Sequence, residues 1–140
     1  MKIDYARLLE RRNELNAFGR LIGLRITKIS QGYAEVEMPI TKDHLNPIGS
    51  VHGGCLATAA DVVGGSAASS YGIQVTTLDG TLHYLRPGLN ATCIYGKARE
   101  LKHGKRISVY EISIEDQNGT VLTEGIFTYM SMGKPILEEG

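Results

Sequence analysis

The sequence carries no excess of either charge, few cysteines and no long apolar run. Lys+Arg and Asp+Glu each number 15, so the net charge is zero and the pI lies near 6.9. That excludes the global positive field that draws nucleic acid or an anionic membrane. Two cysteines, Cys55 and Cys93, stand far apart with no paired histidine spacing. This argues against a disulfide framework and a zinc motif, and for free thiols. No apolar stretch approaches ~18 residues, so no helical membrane span is expected. Residues 1–12 are charged and lack the apolar core of a signal peptide, which predicts a cytoplasmic location.

What is present fits one globular domain over residues 1–140, with 42 % hydrophobic and 21 % charged side chains. Glycine is high, 17 in 140, or about 12 % against an average of ~7 %. Residues 2–22 show helical spacing through Leu8, Leu9, Leu15, Phe18 and Leu21. Residues 24–30 alternate, with Leu24, Ile26 and Lys28 on one face. Residues 33–38 alternate again, with Ala34, Val36 and Met38 inward, and Gln31-Gly32 between the two runs predicts a hairpin. From 53 to 70, Leu56, Ala60, Val63 and Ala67 recur at helical steps among Ala, Ser, Gly and Thr. Such a helix can be approached closely from all sides, as if wrapped by a sheet. Four strands are predicted after it, at 74–86, 91–101, 105–116 and 119–131. Turns are expected at His103-Gly104 and Asn118-Gly119, a bulge at Gly125, and a loose tail over 133–140. The class is α+β: a long antiparallel sheet around one helix, with a helix before it.

One residue breaks the pattern. Over the 35 residues from His44 to Leu78, Asp61 is the sole formally charged side chain; the average composition predicts about seven. Asp61 sits mid-helix, where aspartate is a poor helix former. Its neighbours Ala57, Thr58, Gly64 and Gly65 cannot pair with a carboxylate. Burying it unpaired costs several kcal/mol, on the order of a lost charge partner. Asp61 is therefore a candidate acid, base or nucleophile; otherwise it points to water or bonds a distant arginine.

The start of the same helix supplies the complementary group. Asn46-Pro47-Ile48-Gly49-Ser50-Val51-His52-Gly53-Gly54 is a tight polar loop ending in two glycines. The first N–H groups of a helix lack intrahelical partners and carry partial positive charge, and glycine lets a ligand approach them. That is what stabilising a developing oxyanion requires. An ordinary glycine turn has the same sequence. Gly53 and Asp61 are eight residues apart, about 12 Å along a helix. One carbonyl cannot touch both within a chain. If both serve one reaction, Asp61 comes from a neighbouring subunit and the protein is an obligate homodimer or larger.

Asn46-x-x-Gly49-x-x-His52-Gly53-Gly54, then six residues, then Asp61, resembles the hot-dog-fold acyl-CoA thioesterases of the PaaI-like type. So do the Tyr84-Leu85-Arg86-Pro87 strand end and the order of elements over residues 20–131. The resemblance implies a sheet wrapped around the 53–70 helix, dimers joined at sheet edges, and a tetramer of two dimers. It implies that Asp61 activates water or attacks the thioester carbonyl, that Asn46 positions water or substrate, and that the Gly53 N–H binds the thioester oxygen. His52 would hold the loop. Thr77 falls where relatives place a small hydroxyl residue near the attacking water; strand propensity alone also accounts for it. No metal or organic cofactor is implied, coenzyme A being part of the substrate.

The coenzyme calls for cations. Lys102-His103-Gly104-Lys105-Arg106 is a basic turn and Arg86 ends a strand, so a neutral protein holds a candidate local anion site. A solvated hairpin turn reads the same way. The resemblance puts coenzyme A contacts near this turn and near Tyr84, with Gly54 at the same helix start. His44, His52 and Asp61 show no recurring metal-ligand spacing. Two other activities share the fold implied: a hydratase or dehydratase acting on acyl thioesters, and an acyl-CoA-binding module without turnover.

Overall fold

The computed structural model describes residues 2–138. Three helices, α1 (Tyr5–Leu15), α2 (Ala17–Ile22) and α3 (Gly53–Ala68), accompany six strands. The strands are β1 (Arg25–Ser30), β2 (Tyr33–Pro39), β3 (Ile73–Tyr84), β4 (Cys93–His103), β5 (Ile107–Asp116) and β6 (Val121–Pro135). They form one sheet in the order β1-β2-β4-β5-β6-β3, every pair antiparallel. The sheet curls around α3, which packs on all six strands. This is the hot-dog arrangement. Among the described residues no helix is long and apolar enough to cross a membrane.

The wrap works because the two surfaces match in size. Ala34, Val36 and Met38 of β2 and Tyr110, Ile112 and Ile114 of β5 point inward, as their alternation predicts, onto Leu56, Ala60, Val63 and Ala67 of α3. Small residues let the helix sit close to the sheet. Gly64 shows the need: a Cβ there would overlap the Tyr129 hydroxyl and lie 2.8 Å from Ile112 Cδ1. Glycine inside a helix costs about 0.5–1 kcal/mol relative to alanine. Close packing against β5 and β6 offsets it.

Four expectations need correction. The helix over 2–22 is two helices, divided at Asn16, whose backbone leaves the helical region and whose side-chain oxygen caps the Gly19 N–H at 3.2 Å. Asparagine competes well as a cap, and Gly19 leaves room for its amide. The break turns the chain, so Leu8 is buried while Leu15 and Phe18 are each 58 % exposed. In β1 the register shifts between Ile26 and Lys28, so Ile29 rather than Lys28 enters the core. Gly125 carries no bulge. It stays in register with Leu82 and Ile112, and a Cβ would overlap the Thr81 carbonyl. The tail is not loose from 133: β6 runs to Pro135, and buried Ile136 donates its N–H to the Gly72 carbonyl at 2.9 Å. Residues 139–140 of that tail lie outside the described residues.

β3 is an edge strand, 12 residues long and exposed along most of its length. Its unpaired backbone edge is open to another strand. β3 also flanks both halves of the candidate site.

Candidate active site

The loop before α3 is built by its own side chains. Asn46 Oδ1 accepts the Ile48 and Ser50 N–H groups at 3.1 and 3.0 Å, and Nδ2 donates to Ser50 Oγ at 2.7 Å. Most of the Asn46 amide is thus engaged in shaping the loop. His52 caps α3: its Nδ1 accepts the Gly54 N–H at 2.8 Å. The Gly54 amide is therefore used within the loop. The Gly53 N–H has no acceptor among the described residues. Tyr84 lies against Gly53, its hydroxyl donating to the Gly53 carbonyl at 3.3 Å. A Cβ at Gly53 would stand 3.5 Å from the Tyr84 ring. Asn46, Gly53, Tyr84 and Arg86 line one cavity of about 330 Å³. Arg86 is anchored there by donating to the Val121 carbonyl at 2.8 Å.

Asp61 lies further along α3, half-buried, beside a second and open groove of about 590 Å³. Its partners come from distant strands. Thr77 Oγ1 of β3 donates to Oδ1 at 2.7 Å. The Tyr129 hydroxyl of β6 lies 3.0 Å from the Asp61 carbonyl oxygen and 3.3 Å from Oδ1. Oδ2 has no hydrogen-bond partner among the described residues. The groove is otherwise walled by uncharged groups, among them Phe18, Val62, Leu82 and Phe127. One protomer therefore brings Asp61 and Thr77 together, and Asn46, Gly53, Tyr84 and Arg86 together, in separate cavities.

Two residues near Asp61 went unread in the sequence. Tyr129 falls on an alternating strand and looks like core. Arg12 is one of several arginines on α1. Its Nε donates to Ser66 Oγ at 3.3 Å, on the turn of α3 after Asp61. The bond to a distant arginine considered for Asp61 is not made: Arg12 and Asp61 form no ion pair within 4.0 Å.

The basic turn sits elsewhere. His103 stacks on Tyr71 with ring centroids 3.7 Å apart, and Gly104 donates to the Ile107 carbonyl at 2.9 Å. Lys102, Lys105 and Arg106 are exposed and have no ion-pair partner among the described residues. His103 pairs with Ser108, while Tyr84 pairs with Thr123 at the other end of the sheet. Within one chain, then, Arg86 and Tyr84 do not join residues 102–106 in a single anion site, because the register sends them to opposite ends. His44 is buried with both ring nitrogens used, Nδ1 by the Thr41 N–H at 2.9 Å and Nε2 by the Ile22 carbonyl at 2.6 Å. It is a structural residue. Cys55 and Cys93 are free and half-buried, and burial raises the Cys55 thiol pKa.

Comparison with known proteins identifies the family. The thioesterase superfamily pattern matches residues 48–123, the span from the loop before α3 into β6. The acyl-coenzyme A thioesterase PaaI of Escherichia coli is 33 % identical over 104 residues, covering 74 % of each chain. The solved structure of E. coli PaaI superposes with a TM-score of 0.84 at 27 % identity, covering 91 % of this chain and 98 % of that one. A Streptococcus pneumoniae hypothetical thioesterase solved with coenzyme A gives a TM-score of 0.79 at 25 % identity, covering 87 % and 95 %. The chain belongs to the thioesterase superfamily: it is a thioester hydrolase built on the hot-dog fold.

Proposed function

We propose that the protein hydrolyses acyl-CoA thioesters to free acid and coenzyme A, at a site completed by two copies of the chain. The observation that carries this is Asp61: one carboxylate oxygen pinned by Thr77, the other without a partner among the described residues, beside an uncharged groove. Oδ2 is positioned to accept a proton from water or to attack the carbonyl carbon. The Gly53 N–H, at the positive end of α3, is the donor for the developing oxyanion. His52 and Asn46 hold that amide in place through the loop. No cofactor is needed. Names of relatives support the substrate class: PaaI of E. coli is an acyl-coenzyme A thioesterase, and the S. pneumoniae protein was solved with coenzyme A.

The two halves meet if β3 pairs antiparallel with β3 of a second copy. Setting Tyr84, which touches Gly53, beside the partner's Thr77, which touches Asp61, places the two-fold axis near Thr81, once the irregularity of β3 between Thr77 and Asp79 is counted. The same operation carries the partner's basic turn to the end of the sheet that holds Tyr84 and Arg86. Residues 102–106 and Arg86 then serve one anionic substrate from two chains. The homodimer is the catalytic unit, and a homotetramer is its expected assembly.

The test is thiol release from a panel of acyl-CoA esters by the wild type and Asp61→Asn. Hydrolysis by the wild type, slowed roughly 10²-fold or more in the variant, supports the reading. Equal rates in both would remove Asp61 from the chemistry. Hydration of an enoyl-CoA with the thioester intact would point to a hydratase, and tight binding without turnover to a binding module.

A further inference from the structure

Arg12 projects from α1 onto α3. Its Nε donates to Ser66 Oγ at 3.3 Å, and a Cβ at Gly65 would lie 3.5 Å from Nη2, so the guanidinium rests on the turn of α3 that follows Asp61. Among the described residues no carboxylate stands within 4.0 Å of it, and neither Nη1 nor Nη2 has a hydrogen-bond acceptor. Burial lowers the Arg12 pKa from the ordinary arginine value. A guanidinium keeps its charge at any working pH, so this desolvation lacks the anion that usually offsets it. The idle donors are not sealed in: the fully buried side-chain atoms without partners, among the described residues, are Asn16 Nδ2 and Thr123 Oγ1. Arg12 borders a recess of about 290 Å³ between α1, α3 and β3, with Val62, Val75 and Ile136 as its apolar wall. The recess adjoins the groove beside Asp61, since Asn16 and Val62 border both.

We propose that this recess holds the far end of the acyl group, and that Arg12 selects acyl-CoA esters ending in a carboxylate, the monothioesters of short dicarboxylic acids. The proposal rests on acyl-CoA hydrolysis at Asp61. With the thioester carbonyl at Asp61, the acyl chain runs past Val62 toward Gly65, which lies four residues on, about 6 Å along α3. A short spacer bridges that gap. Nη1 and Nη2 then offer a carboxylate the two parallel donors that its two oxygens accept. A neutral acyl end of the same length leaves the guanidinium unpaired, and a site built around an unpaired polar group discriminates against such a substrate.

The experiment compares glutaryl-CoA with valeryl-CoA, equal in carbon number and different at the acyl end, by thiol release above the spontaneous rate. The proteins are the wild type, Arg12→Met, Arg12→Lys and Gln74→Glu. The wild type should favour glutaryl-CoA in kcat/KM by about tenfold or more. Arg12→Met should abolish that preference, the loss falling on glutaryl-CoA. Arg12→Lys should keep part of it, a point charge replacing the fork. Should Arg12→Met fail to fold, Gln74→Glu at an exposed position on the rim sets a carboxylate in the recess and should lower the preference with Arg12 in place. Titration calorimetry on Asp61→Asn reads the recess without turnover, and glutaryl-CoA should bind about tenfold tighter than valeryl-CoA. Equal kcat/KM for the two esters in the wild type, equal affinities in Asp61→Asn, or a preference that Arg12→Met leaves intact would overturn the acyl-end site while hydrolysis at Asp61 stands. Tighter binding of glutaryl-CoA with no hydrolysis of either ester would keep the acyl-end site and remove the proposed hydrolysis.

Discussion

At the residue scale, Asp61 lies in a helix of small uncharged side chains, and its partners come from strands 16 and 68 residues away. The charge desert around Asp61 was visible in the sequence, as was the Gly53 amide at the helix start. Of the donors, Thr77 was named through the resemblance alone and Tyr129 not at all, because strand alternation marks Tyr129 as core and says nothing of where its hydroxyl ends. The glycines of α3 test this packing. Gly64→Ala raises helix propensity by about 1 kcal/mol, yet its Cβ would overlap the Tyr129 hydroxyl. Overpacking should dominate, with a net loss of about 1–3 kcal/mol. Gly65→Ala meets Arg12 and the Tyr129 ring only at ordinary contact, 3.5 and 3.6 Å. It should be neutral or gain up to about 1 kcal/mol. Thermal unfolding of the two variants checks the contrast, and a lower Tm for Gly65→Ala than for Gly64→Ala would contradict it.

At the scale of elements, strands and α3 were legible because each has one clean period, two residues in the strands and 3.6 in the helix. Breaks were not. Asn16 divides α1 from α2 by capping, and the β1 register slips between Ile26 and Lys28; neither interrupts the hydrophobic pattern enough to be read. The 102–106 turn is held by a cluster that no local pattern announces. Tyr71 stacks on His103 and donates to Glu100 Oε1 at 2.7 Å. Burial, and then Glu100, pushes the Tyr71 pKa from 10.0 up to about 12. The folded state therefore holds the phenol proton where the unfolded chain releases it. That contribution is whole below pH 10.0 and is lost as pH rises to about 12. Melting temperature should fall over that window, and Tyr71→Phe should flatten the part of the fall that Tyr71 causes. Function at the same turn is tested by Lys105→Ala with Arg106→Ala. KM for acyl-CoA should rise about 3- to 10-fold at low salt, and its salt dependence should weaken, since two screened cations are gone. An unchanged KM would detach the turn from the substrate.

For the whole molecule, length along α3 decides. The helix rise already separates Gly53 from Asp61 in the sequence, and the structure gives each its own cavity on one protomer. What the sequence could not supply was the edge: the strand order leaves β3 open, with Tyr84 near one half-site and Thr77 near the other. Two inactive chains can then repair each other. Asp61→Asn keeps its Gly53 amide, while Gly53→Val, whose side chain would crowd the Tyr84 ring, keeps its Asp61. Co-expressed at equal amounts, half of the dimers are mixed, and each mixed dimer pairs one intact amide with one intact carboxylate. About a quarter of the wild-type activity should return from two variants that are each inactive alone. A site contained within one chain predicts no recovery, since every chain in the mixture then lacks one of its two groups. The measurement is thiol release by purified mixed dimers carrying a different tag on each chain, where the expected value rises to about half.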